Sequence, residues 1–121
     1  MLIVDDSPTA TDGLRSILNA CPDVEVVGTA DDGLAAIAEA EELVPSVILM
    51  DDQMPGMDGV EATRHIKQRF PDTKVLFMAV HTTRIAAGLD AGADGYLMKD
   101  SSRQELVRAI IELVHPGTPP S

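Results

Sequence analysis

Four residues have the types and positions to do chemistry together: Asp5 and Asp6 directly after a first apolar run, Asp51 directly after a third, and Lys99 directly after a fifth. Clustered carboxylates repel, and without a partner at least one has its pKa raised, so three converging acids are costly unless a cation shares the site. A hard, oxygen-seeking ion such as Mg2+ (or Mn2+) suits two or three carboxylates with water completing its shell, and such sites commonly serve a phosphate. Lys99 adds a compact positive charge on a long stem that can reach a phosphate oxygen. A carboxylate nucleophile, a divalent ion and a lysine are what aspartyl-phosphate chemistry requires: positioning, and neutralisation of charge on a transferring phosphoryl group. Standing alone, the doublet Asp5-Asp6 reads as a solvated loop or helix cap. Asp51 and Lys99, both at strand ends, give it chemical meaning.

These side chains converge only if strands carry them to one edge. Short apolar runs rich in β-branched residues alternate with longer segments of helical period, the pattern of a parallel sheet with crossover helices. The strands read as Leu2–Val4, Val24–Val27, Val47–Met50, Val75–Val80 and Gly95–Met98. Leu14, Ile17, Leu18 and Cys21 follow the i, i+3, i+4, i+7 pattern, as do more loosely Leu34, Ile37 and Ala38, then Val60, Thr63, Ile66 and Phe70. Leu106, Val107, Ile110, Ile111 and Val114 mark the last helix. Ser7-Pro8, Asp31, Asp58-x-x-Glu61 and Ser102-x-x-Glu105 are helix-start signals. The stretch from His81 to Ala91, with Gly88 inside it and few strong apolar anchors, predicts a short or irregular fourth helix. The reading is one doubly wound α/β domain over residues 1–114. Pro116, Pro119 and Pro120 forbid a helix in residues 115–121, which read as the start of a Pro-rich linker or tail. In such a sheet function collects at the carboxyl ends of the strands, and right-handed crossovers bring Asp5, Asp6 and Asp51 to one crevice.

Composition agrees with one compact acidic domain. The chain has 121 residues, 45% of them hydrophobic, with 9 basic and 20 acidic side chains and a net charge of −11. That apolar share argues against disorder, and a domain of this length needs neither disulfide nor structural metal. Nucleic-acid binding depends on Lys and Arg meeting phosphates, and nine scattered basic residues leave no footprint for DNA or an anionic membrane. The single Cys21 fits a reducing compartment and reads as a buried small hydrophobe. With no signal peptide and no apolar run approaching the ~18 residues of a membrane helix, the expected location is cytoplasmic.

The runs Leu2-Ile3-Val4-Asp5-Asp6-Ser7-Pro8, Val47-Ile48-Leu49-Met50-Asp51-Asp52-Gln53-Met54-Pro55-Gly56-Met57-Asp58-Gly59 and Gly92-Ala93-Asp94-Gly95-Tyr96-Leu97-Met98-Lys99-Asp100 closely resemble the receiver domain of two-component response regulators. The last run, with Pro22-Asp23-Val24-Glu25-Val26-Val27-Gly28, looks most like the NarL/FixJ (LuxR-type) subfamily, whose receivers precede a helix-turn-helix domain. The resemblance implies a flavodoxin-like (βα)5 fold with strand order 2-1-3-4-5, the order of the chemotaxis receiver. It implies Asp51 as phosphoacceptor from a phosphohistidine on a sensor histidine kinase, preferred over Asp52 by spacing to Met54-Pro55. Asp6 would be a direct metal ligand, Asp5 its partner, and Gln53 a ligand through its backbone carbonyl. Lys99 would contact the phosphoryl group. Output would be transcriptional, with DNA contacted only through an output domain outside this chain, and a homodimer is a possible state.

The chain also departs from that family. Ala79 falls where receivers carry the Thr or Ser whose hydroxyl switches on phosphorylation, and alanine has none to offer. Thr82 or Thr83 could substitute only if the strand register moved by three or more residues. Tyr96 matches the aromatic partner of that switch, so the coupling lacks its polar half. Asp52, where an apolar residue is more usual, adds negative charge that favours metal and repels phosphate. His81 reads as a solvated loop histidine. Two functions therefore stand: a phosphoaccepting receiver with altered switching, or an atypical receiver acting as a phosphorylation-independent interaction module. An enzyme is not expected: a dehalogenase-type site needs Asp-x-Asp after strand 1, and a nucleotide site needs a Gly-rich loop there.

Overall fold

The computed structural model describes residues 1–114; the expected linker at 115–121 lies outside them. Among the described residues, five strands, β1 (Leu2–Val4), β2 (Gly28–Ala30), β3 (Val47–Asp51), β4 (Lys74–Ala79) and β5 (Gly95–Met98), alternate with five helices. These are α1 (Pro8–Asn19), α2 (Gly33–Leu43), α3 (Gly59–Arg69), α4 (Thr82–Asp90) and α5 (Arg103–Val114). All strand pairs are parallel and the sheet order is β2-β1-β3-β4-β5, as the resemblance implied.

Helices cover both faces of the sheet, which is why β1 and β3 are buried along their length and, up to Asp51, apolar rather than alternating. Side chains nonetheless divide by strand period. Leu2, Val4, Ile48, Met50, Val75, Phe77 and Ala79 join one core with residues of α2, α3 and α4. Ile3, Val47, Leu49, Leu76 and Met78 join a second with residues of α1 and α5.

Local chemistry sets the helix starts. Ser7 Oγ accepts from Ala10 N with Pro8 at the first helical position, and Asp58 Oδ1 accepts from Glu61 N. Ser102 and Glu105 close a reciprocal capping box on α5. The cap of α2 is Asp32 rather than the expected Asp31: the helix opens at Gly33, and Asp32 Oδ1 accepts from Ala35 N at 2.7 Å.

Further expectations are corrected as well. The second strand is Gly28–Ala30, not Val24–Val27, because Gly28 is the residue that pairs with Leu2 at the start of β1. Val24 and Val26 use their side chains instead, packing on the second core. The fourth strand ends at Ala79, leaving Val80 exposed, and Asp51 is the last residue of the third rather than the first after it. Cys21 is only half-buried and lies beyond the end of α1. The fourth helix is short as expected, nine residues, but regular. It sits tight on the sheet because Gly88 offers no Cβ where Phe77 needs the space: one built there would lie 2.5 Å from the ring.

Candidate functional site

The carboxyl ends of β1, β3 and β5 bring the sequence-predicted residues together. Asp5 is buried, with its backbone N–H on Ala30 O and its Oδ1 accepting from Ser7 N at 2.9 Å, so the turn that caps α1 also orients this carboxylate. Asp6 next to it is exposed. Asp51 closes β3 and is 1% exposed, and oxygens of Asp5, Asp6 and Asp51 lie within 4.8 Å of one another. Gly59, at the start of α3, lies against the backbone of Asp51: a Cβ there would stand 2.1 Å from the Asp51 carbonyl oxygen.

Lys99 directly follows β5. Its backbone N–H donates to Ala79 O at 3.0 Å, and its side chain, one-third exposed, turns inward until Nζ is 2.5 Å from Asp51 Oδ1. The contact is an ion pair without hydrogen-bond geometry, and among the described residues Asp51 Oδ1 receives no hydrogen bond. Burial pushes the Asp51 carboxyl above its ordinary range, and the charge of Asp5 adds to this; Lys99 and the backbone N–H of Gln53 pull the other way. The group is thus a buried carboxylate with an undirected oxygen, a part-exposed cation beside it and an exposed acid at the rim. This donor set fits a divalent oxygen-seeking ion, which would relieve the repulsion that burial sharpens.

The remaining predicted residues are placed less centrally. Gln53 lies two residues past Asp51 with its side chain exposed, on the wall of a cavity of about 550 Å³ shared with Asp6, Asp52, Asp58, His81 and Arg84. Ala79 is fully buried at the end of β4, so Thr82 and Thr83 begin α4 and neither takes its place in the strand. Tyr96 is 54% exposed and pairs with Phe77, while Ala79 pairs with Met98. The structure therefore does not set Ala79 and Tyr96 opposite one another. Ala79 acts on the site through its carbonyl, by holding Lys99. His81 is exposed, in the position before α4.

Asp52 corrects an expectation outright. It is not a free negative charge beside the acceptor: the residue is 3% exposed and its carboxylate takes hydrogen bonds from Arg84 Nε at 3.0 and 3.1 Å and from Arg84 Nη2 at 2.7 Å. Arg84 Nη2 also reaches Asp58 Oδ2 at 3.2 Å. Sequence reasoning did not single out Arg84. The available signal was an acid after a buried strand, which needs a cation, and an arginine in the first turn after β4.

Comparison with known proteins bears on the family and the fold. A family model described as the response regulator receiver domain matches residues 1–111. The transcriptional regulatory protein DegU of Brevibacillus brevis is 40% identical over 119 residues, covering 97% of this chain and 50% of that protein. The response regulator protein VraR of Staphylococcus aureus is 42% identical over 112 residues, covering 91% of this chain and 54% of that protein. The crystal structure of a LuxR-family two-component response regulator from Aurantimonas sp. SI85-9A1 superposes with a TM-score of 0.88 at 35% identity, covering 93% of this chain and 82% of that one. The chain spans about half the length of the curated relatives it matches.

Proposed function

Because this chain belongs to the response regulator receiver domain family, we propose that Asp51 accepts a phosphoryl group from a phosphohistidine of a sensor histidine kinase and that the new charge regulates an output. The family assignment places it among two-component signalling proteins with transcriptional regulators among its relatives. The observation that carries the finer reading is the buried Asp51 Oδ1, paired with Lys99 at 2.5 Å and receiving no geometrically formed hydrogen bond among the described residues. A carboxylate so held keeps a lone pair available.

In the transfer, an Asp51 oxygen bonds to phosphorus while the bond from phosphorus to the kinase imidazole nitrogen breaks, its electron pair staying on that nitrogen. Lys99 leaves its contact with Asp51 Oδ1 for a phosphoryl oxygen, following the negative charge outward. Asp5, held by Ser7, Asp6, open to solvent, and Asp51, together with the Gln53 backbone carbonyl, would hold the metal. When bound, Mg2+ (or Mn2+) neutralises charge on the phosphoryl group and among the acids. Gly59 keeps α3 close against Asp51 and so fixes the acceptor's backbone.

In this reading residues 1–114 are the receiver, 115–121 begin a linker, and any DNA contact is made by an output domain outside the chain. A homodimer is compatible with it. The setting is the cytoplasm; among the described residues no helix is long and apolar enough to cross a membrane. Ala79, a buried methyl at the switch position, favours a second reading, a phosphorylation-independent interaction module. Incubation with Mg2+ and acetyl phosphate, read by intact mass, should add one phosphate to the wild type and none to Asp51→Asn. A wild type that neither gains phosphate nor binds beryllofluoride refutes the acceptor reading. Identical self-association of phosphorylated and unphosphorylated protein would favour the second.

A further inference from the structure

Asp52 touches three neighbouring elements from its place beside the acceptor. Its backbone N–H donates to Met78 O of β4 at 3.0 Å, and its carbonyl accepts from Gly59 N at the start of α3 at 2.9 Å. Its buried carboxylate takes the fork of Arg84 from the first turn of α4. By the period of β3, Asp52 belongs to the face of Ile48 and Met50, the face on which Val75, Phe77 and Ala79 also pack. The pair thus occupies the side of the sheet where Ala79 supplies only a methyl group.

The helix it holds has few other ties at that end. Its N-cap, His81, makes no side-chain cap hydrogen bond, and the buried residues of α4 are Ile85 and Gly88. Arg84 is the charged anchor of the first turn, bonded to Asp52 and, more weakly, to the half-exposed Asp58.

We propose that Arg84 is a positioning residue that carries the state of the acceptor to α4 through Asp52, supplying the coupling that Ala79, lacking a hydroxyl, cannot; this rests on Asp51 being the phosphoacceptor. A displacement of the Asp51–Asp52 backbone must either drag Arg84 along or strand a buried carboxylate, and stranding is the costlier outcome. The charge change acts in the same direction. Phosphorylation adds negative charge one residue from Asp52, which increases the need of Asp52 for its cation. The fork geometry of the guanidinium holds direction as well as distance, so the tie transmits a rotation and not only a shift.

The test is backbone amide NMR of the full chain with and without Mg2+ and beryllofluoride. In the wild type, amides of residues 51–53 and of Thr82–Asp90 should both move. In Asp52→Leu/Arg84→Met, which replaces both partners with apolar groups and strands no charge, the shifts at residues 51–53 should persist while those of Thr82–Asp90 fall at least threefold. Arg84→Gln alone should give the same loss, and Arg84→Lys should restore part of the response. An α4 response as large as wild type in either the double variant or Arg84→Gln overturns the inference, as does a wild type whose acceptor loop moves while α4 stays still. No response near Asp51 in the wild type overturns instead the acceptor reading beneath it, and the mass measurement on Asp51→Asn reports that failure independently.

Discussion

Replacing Gly88 with alanine sets two effects of similar size against each other. Glycine inside a helix costs about 1 kcal/mol relative to alanine, so helix propensity alone favours the change. At this position the new methyl would stand 2.5, 2.6 and 2.8 Å from three ring carbons of Phe77, where ordinary contact begins at 3.4 Å. Phe77 is fully buried between β3 and β5 and has nowhere to turn, so α4 must rise by nearly 1 Å or the ring must leave its rotamer. Overpacking of this kind costs about 1–3 kcal/mol, which outweighs the propensity gain and leaves a net loss of about 1 kcal/mol. For a domain of this size the melting temperature should drop by roughly 3–5 °C. Gly13 of α1 is the internal control, because a Cβ there meets nothing within 4 Å. Gly13→Ala should therefore gain about 1 kcal/mol, and the two variants should separate by about 2 kcal/mol in urea titrations followed by circular dichroism. A Gly88→Ala protein as stable as wild type would refute the close seating of α4 on Phe77.

Two other perturbations follow from single residues. Burial raises the Asp51 carboxyl above its ordinary 3.8, so the folded chain holds that proton more tightly than the unfolded one, and stability falls as pH rises from near 3.8 through the folded value. In buffer with chelator, Asp51→Asn should flatten this part of the urea-midpoint profile against pH; an unchanged slope would show that other groups produce it. Val44 caps α2 in the left-handed region at φ 44° and ψ 57° and is 67% exposed. A β-branched residue is strained there by about 1–2 kcal/mol, so Val44→Gly should raise the melting temperature despite the freedom it gives the unfolded chain, and a lower value would contradict the strain.

Most of the fold could be read from the order of residues because its elements are locally determined. The apolar runs Leu2–Val4 and Val47–Met50, each short and followed by acids, suit parallel strands covered on both faces. The caps Ser7, Asp58 and Ser102 work within three residues and were found where the sequence placed them. The second strand was misplaced because pairing register is a long-range quantity: valine-rich 24–27 has the better propensity, yet Gly28 is the residue that meets Leu2. The convergence of Asp5, Asp6, Asp51 and Lys99 was legible for the same reason as the strands, since each sits at a strand end and topology does the rest. The partner of Asp52 was not. Nothing within a few residues of it identifies Arg84, 32 positions away on another element.

That pairing also constrains the route by which the chain can have acquired it. The Arg84 side chain is 37% exposed and that of Asp52 only 4%. An arginine introduced first, facing solvent, is close to neutral for a surface position. An aspartate introduced first would be buried with no counter-charge, at a cost of about 3–5 kcal/mol, a large fraction of the stability of a typical domain. The accessible order of substitution is therefore arginine and then aspartate, and reversion must run backwards along the same path. Once both are present, Asp52 makes the loss of Arg84 costly, whereas loss of Asp52 leaves only a part-exposed arginine, so the pair can be dismantled in one order alone.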